Sequence, residues 1–186
     1  MTKSIVISGP PAVGKTTVAK GLAEEFQLQY LSGGDVLKEM ASEHGFDSSG
    51  DDWWDTEDGM KFLNQREQNS EFDKKLDKKL ITLFEEGGMV ITSYTLPWLI
   101  QDGIRIWLEG SHESSTKRMQ SRDSMSSEDA YEITKERFDK NKALYKKIYN
   151  FDFGEDKSVF DLIINTDHLT AQQVIDVAKE MVRKLL

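Results

Sequence analysis

Residues 3–26 read KSIVISGPPAVGKTTVAKGLAEEF. Ile5-Val6-Ile7 is a β-branched apolar run with little alternation, the pattern of a strand buried on both faces of a parallel sheet. Gly9-Pro10-Pro11-Ala12-Val13-Gly14-Lys15-Thr16 then satisfies G-x-x-x-x-G-K-[ST], and a helix is predicted from about Lys15 to Phe26. The residue types follow from the chemistry of holding phosphate. Two glycines let the backbone curl until successive N–H groups point inward, the helix adds the positive end of its dipole, and Lys15 brings a full charge to the β- and γ-phosphates. Thr16 supplies a hydroxyl for Mg²⁺. The expected nucleotide-binding set is therefore Gly9, Pro10, Pro11, Ala12, Val13, Gly14, Lys15, Thr16 and Thr17.

On either side of this loop, strands alternate with helices. Gln29 to Ser32, Met89 to Thr92, Ile104 to Leu108 and Leu162 to Asn165 read as strands. Helices are predicted from Asp35 to about Glu43, Glu71 to Glu86, Ser114 to Arg122, Ser127 to about Tyr149, and after Thr170. Phe72, Leu76, Leu80 and Phe84 recur every four residues before the stop at Gly87-Gly88. Thr170 with Gln173 forms a capping box ahead of an apolar stripe of Val174, Val177, Ala178, Met181 and Leu185. Alternation of this kind specifies an α/β fold, a P-loop NTPase fold whose parallel sheet is flanked by helices.

The 186 residues bound the chain to one domain, 1–186, and 38% hydrophobic against 31% charged residues describe a folded globular protein rather than a disordered one. No apolar stretch approaches the roughly 20 residues that cross a bilayer, and without cysteine there is no disulfide, thiolate nucleophile or sulfur-bound zinc; a cytoplasmic location is expected. A net charge of −9 argues against nucleic acid or an anionic membrane as partner. The expected partner is a small-molecule nucleotide, with no obligate protein partner evident. Residues 39–73 hold eleven acidic residues against Lys61 and Arg66, which accounts for the whole net charge. The stretch reads as an acidic insert on the acceptor side, in its plainest form a solvated loop, with Trp53 and Trp54 either pinning it to the core or stacking on a base. His44, His112 and His168 lack the spacing of metal ligands.

Ser32-Gly33-Gly34-Asp35-Val36-Leu37-Lys38 follows the second strand. Asp35 is placed to hold a water of the Mg²⁺ shell and Lys38 to meet an incoming phosphate, although each reads equally well as an N-cap and a solvated lysine. With these segments the chain resembles the nucleoside monophosphate kinases, most closely the archaeal-type cytidylate kinases. The resemblance rests on residues 8–26 and 32–38, FDKKLDKKL at 72–80, Trp98, and KALYKKIYNFD followed by DLIINT. It implies transfer of the γ-phosphoryl of ATP, with Mg²⁺, to CMP or dCMP under a lid spanning 114–142. Arg118 and Arg122, spaced i,i+4, and Arg137 on the next helix match the family's lid arginines. Their guanidinium forks would stabilise charge on the transferred phosphoryl beside Lys15, which makes these four the expected catalytic set. The resemblance also implies that Asp73 and Asp77 read a base; on periodicity alone they are a solvated flank.

The acceptor site departs from the family pattern. Thr92-Ser93-Tyr94 stands where the family has Glu-Gly-Arg, and Lys38 where it has an arginine. Tyr94 offers one hydrogen bond and no charge, and Lys38 no bidentate fork, so Arg66, Lys74 or Lys75 would have to compensate. Two alternatives stay open: a kinase of the same fold for an acceptor without a phosphate, and an NTP-hydrolysing regulatory protein. The latter is disfavoured because Met89-Val90-Ile91-Thr92 lacks the aspartate of a Walker-B strand.

Overall fold

The computed structural model describes residues 2–46, 53, 56–123 and 126–186, the side chains of 63, 67, 68, 122 and 123 excepted. Strands β1 (Ile5–Ser8), β2 (Gln29–Ser32), β3 (Met89–Thr92), β4 (Ile104–Glu109) and β5 (Leu162–Asn165) form one parallel sheet in the order β2-β3-β1-β4-β5. The described helices are α1 (Lys15–Phe26), α2 (Gly33–Glu43), α3 (Glu57–Gln68), α4 (Glu71–Glu85), α5 (Leu96–Leu99), α6 (His112–Asp123), α7 (Ser127–Tyr149) and α8 (Ala171–Leu185). None of the described helices is long and apolar enough to cross a membrane.

The unalternating β1 is central because both its faces are covered. Ile5 and Ile7 pack with Val18 and Leu22 of α1 and Val174 and Val182 of α8. Val6 faces the other way, into Val36 and Leu37 of α2 and Leu80 and Phe84 of α4. Each such side chain contributes roughly 1.5–3 kcal/mol by leaving water. A third, aromatic cluster joins Trp107 of β4 to Tyr145 of α7 and to Phe151 and Phe153. Trp98 of α5 stacks on Phe151 with ring centroids 4.3 Å apart. In open parallel sheets ligands bind beyond the carboxyl ends of the strands, and here the ends of β1, β2 and β3 lead into the first loop, α2 and residues 93–95.

Two of the described helices were not expected at all. α5 is a four-residue turn with Pro97 in its first turn. α3 lies inside the acidic stretch, which corrects its reading as a solvated loop. Thr56 caps it by accepting from the Gly59 N–H at 3.2 Å. Phe62 and Trp53 are buried, and Phe62 packs edge-on against Phe72 of α4 at 5.4 Å. Trp53 is thus an anchor, while Trp54 lies outside the described residues. Two of the three acidic residues of this helix, Glu57 and Asp58, lie in its first turn, where they suit its dipole.

Candidate active site

A cavity of about 270 Å³ opens at the carboxyl ends of β1, β2 and β3. Ala12, Val13, Gly14, Lys15 and Thr16 form one wall. Gly9 allows the loop to pass against β4, since a Cβ there would stand 2.3 Å from the Leu108 carbonyl oxygen. Gly14 takes φ 92, in the left-handed region that favours glycine, and no side chain caps α1, so its first N–H groups remain available to an anion. The Lys15 ammonium donates to the carbonyl oxygens of Gly9 (3.0 Å) and Pro10 and lies 4.9 Å from the centre of the Tyr94 ring. Burial, with Arg137 nearby, pulls its pKa down to about 7. Pro10 and Pro11 face away from this cavity, into a smaller hollow beside His112, Ser115 and Phe138, and Thr17 is exposed outside it.

The second wall is the start of α2. Ser32 caps the helix by accepting from the Asp35 N–H at 3.2 Å, and the exposed Asp35 lines the cavity. Leu37 also lines it, whereas Lys38 is half-buried and falls outside the lining among the described residues. Thr16 and Asp35 are one hydroxyl and one carboxylate on the same cavity, and the described residues contain no cluster of three His, Asp or Glu. That sparse oxygen set fits an ion such as Mg²⁺, which takes its remaining ligands from water and phosphate.

The far end is built from side chains on four separate elements. Asp73 and Asp77 are buried on α4 and line the cavity, which corrects their reading as a solvated flank; Lys74 and Lys75 between them point outward. Asp73 accepts from Arg66 of α3 at both carboxylate oxygens, Nε to Oδ2 being 3.2 Å, and Arg66 is itself buried. Arg66 is therefore not a spare surface cation. Asp77 accepts from the hydroxyls of Thr95 and of Tyr149, the latter at 2.6 Å. Burial pushes the Asp77 carboxyl up to about 6 against the pull of these bonds. Tyr145 donates to Asn141 Oδ1 at 3.0 Å, and burial raises its phenol well above the ordinary range. Thr95, Asn141, Tyr145 and Tyr149 escaped the sequence reading. The available signal was NKALYKKIY, residues 141–149, which sets Asn141, Tyr145 and Tyr149 four residues apart on one face of α7.

The three arginines expected of a lid separate. Arg137 of α7 lines the cavity beside Lys15. Arg118 of α6 does not, among the described residues; its Nη2 donates to the Thr166 carbonyl oxygen at 2.7 Å, and its buried Nη1 lies near Gly110. The Arg122 side chain lies outside the described residues.

Residues 4–168 match the model of the cytidylate kinase-like family. A protein named cytidylate kinase from Pyrobaculum islandicum is 32% identical over 184 residues, covering 98% of this chain and 94% of that one. Another of that name, from Sulfurisphaera tokodaii, is 34% identical over 174 residues, covering 91% and 89%. Among solved structures, an uncharacterized protein from Eubacterium ventriosum matches with a TM-score of 0.66 at 18% identity, covering 98% and 99% of the two chains. Shikimate kinase from Bacteroides thetaiotaomicron matches at 0.61 and 13%, covering 97% and 98%. At such identities the structural likeness concerns the fold, that of the P-loop kinases.

Proposed function

The chain belongs to the cytidylate kinase-like family and is a nucleoside monophosphate kinase, and on that premise we propose that it moves the γ-phosphoryl of ATP to CMP or dCMP. The observation that carries the reading is one continuous cavity that joins the phosphate-cradling loop to a buried polar end on α3, α4 and α7. The names of the relatives support cytosine as the base.

In this reading the loop amides and Lys15 hold the donor's phosphates. Thr16 and Asp35 would hold Mg²⁺, which when bound neutralises charge on the β- and γ-oxygens. The nucleophile is an oxygen of the acceptor's own phosphate, whose second pKa of about 6 leaves it largely ionised at neutral pH, so no general base is required. That suits a site whose two buried carboxylates are already hydrogen-bonded, Asp73 to Arg66 and Asp77 to Thr95 and Tyr149. What remains for the protein is alignment and charge stabilisation, by Arg137 and Arg122 as the lid closes; one such arginine is worth roughly 10³–10⁵ in rate. Arg118 would hold the lid's first helix to the loop after β5.

ADP release measured over CMP, dCMP, UMP, AMP, cytidine and water tests this. CMP or dCMP should exceed UMP and AMP in kcat/KM by ~10-fold or more, and by up to about 10⁴-fold where buried hydrogen bonds read the base. Preferred turnover of cytidine would overturn the reading in favour of a neutral acceptor.

A further inference from the structure

An acceptor monophosphate brings about two negative charges into the cavity. Among the described residues, three cationic side chains line it: Lys15 and Arg137 together at the donor end, and Arg66 at the other. Arg66 is only 4% exposed. Its Nε and Nη2 donate to Asp73, and Nη2 also reaches the Tyr145 hydroxyl at 3.5 Å. Nε and one Nη2 hydrogen commit one edge of the guanidinium to Asp73, and the other Nη2 hydrogen is turned to Tyr145, which together fix its plane. Nη1, on the opposite edge, has no hydrogen-bond partner among the described residues. The Tyr94 hydroxyl likewise has none, and the Tyr94 ring lies between the Lys15 ammonium, 4.9 Å from its centre, and the Tyr145 ring, 6.3 Å away. A line of groups thus runs from the donor lysine through Tyr94 and Tyr145 to Arg66.

Resting on the monophosphate reading above, we propose that Arg66 is the residue that binds the acceptor's phosphate, through Nη1, with Asp73 as the positioning residue that locks its fork. Asp73 cancels the net charge of Arg66, so the phosphate is held by a directed, charge-assisted hydrogen bond rather than by a cationic field. That is why the geometry of an arginine matters here: a lysine that meets Asp73 has no second, rigid edge to offer. The Tyr94 hydroxyl supplies a second donor toward the donor end. Lys38, outside the cavity lining, is not part of this subsite.

Two variants test the proposal. Arg66→Lys keeps a cation opposite Asp73, and the double variant Arg66→Gln/Asp73→Asn keeps a neutral hydrogen-bonding pair. Both are first compared with the parent by thermal melting. KM for CMP should rise ~10-fold or more in the double variant and several-fold in Arg66→Lys, while kcat and KM for ATP stay within ~3-fold, the signature of lost acceptor binding. Tyr94→Arg should lower KM for CMP by a larger factor in the double variant than in the parent, a difference that a purely structural role for Arg66 would not produce. An unchanged KM for CMP in either folded variant overturns the proposal, as does a fall in kcat with KM unchanged. In that failure the parent still prefers CMP. If instead the parent prefers cytidine, the monophosphate reading fails and takes the proposal with it.

Discussion

The two ends of the cavity are made in different ways. At the donor end a contiguous run, Gly9 to Thr17, presents backbone amides, one lysine and one hydroxyl, and its geometry is set by two glycines and the start of α1. At the acceptor end Arg66 comes from α3, Asp73 and Asp77 from α4, Thr95 from the turn after β3, and Asn141, Tyr145 and Tyr149 from α7. The charged groups there are held by side chains of other elements, Asp73 by Arg66 and Asp77 by Thr95 and Tyr149, while Asn141 is bonded both to Tyr145 and to the Arg137 carbonyl of its own helix. Residues whose geometry is local can be read from spacing. Those whose geometry is tertiary cannot, because a charge that is solvated in one packing is the buried half of a pair in another.

The sharpest test of this contrast is Lys15→Ala. The lysine bonds only to carbonyl oxygens of its own loop and stacks on Tyr94, so the variant should fold with a melting temperature near the parent's. Its kcat should fall by ~10³-fold or more, as expected when a preorganised charge on the transferring phosphoryl is removed. Comparable turnover in mutant and parent would place the donor site elsewhere.

The fold was legible where the apolar period was clean. The sequence reading matched β2, β3, β5, α1 and α7 at both ends, began β1 two residues early, at Lys3, and differed at α4 by one residue, because β-branched runs, glycine stops and caps act locally. α3 was missed because its stretch reads as a block of acid, and because the face it buries is sparse: Met60 is half-buried, whereas Phe62 and Arg66, four residues apart, are fully covered. A buried arginine counts as polar in any periodicity, and only the proximity of Asp73 makes it an interior residue. Thr56 ahead of Glu57-Asp58 was a cap signal that the charge count obscured. The lid arginines show the same limit. Spacing placed Arg118 and Arg122 on one helix face, but only packing reveals that Arg118 is committed to Thr166.

At the acceptor end the expected signature is a pH dependence. Burial lifts Asp77 to about 6 from an ordinary 3.8. A carboxyl raised in this way favours the folded chain in its protonated form, so its contribution is complete below about pH 4 and is lost as pH rises through about 6. The lost stability is of the order of 3 kcal/mol at most. Urea unfolding between pH 4 and 7 should therefore show a decline that Asp77→Asn removes. If the variant keeps the parent's decline, the buried-carboxyl picture of this end is wrong.

Arg137 and Arg118 divide the lid in a way that can be measured. Arg137→Ala should lower kcat by ~10²-fold or more with little change in ATP affinity, since its guanidinium lines the cavity and is needed most on closure. Arg118→Ala should leave kcat within ~5-fold and lower the melting temperature instead, because a charge-assisted bond to a backbone carbonyl is lost, about 1.5–3 kcal/mol. The reverse pattern would make α6, not α7, the catalytic helix of the lid.

The smallest expected effect is also the one that separates packing from spacing most directly. The family resemblance puts Lys38 at the position that meets the acceptor, although on the residues alone it reads equally well as a solvated lysine. In the structure α2 begins at Gly33, and residues 33–35 with Leu37 line the cavity. A further step of one residue rotates the side chain by about 100° around the helix, so Lys38 lies half-buried beside the cavity rather than in its lining. Lys38→Ala should therefore change KM for CMP by no more than ~3-fold, and kcat by less, because a partly solvated charge at that remove is screened. Measured beside Arg66→Lys, it puts two cations of the acceptor side in direct competition. A large rise in KM for Lys38→Ala with none for Arg66→Lys would mean that α2 turns on closure to bring the lysine in, and that the acceptor end is assembled by motion as well as by packing.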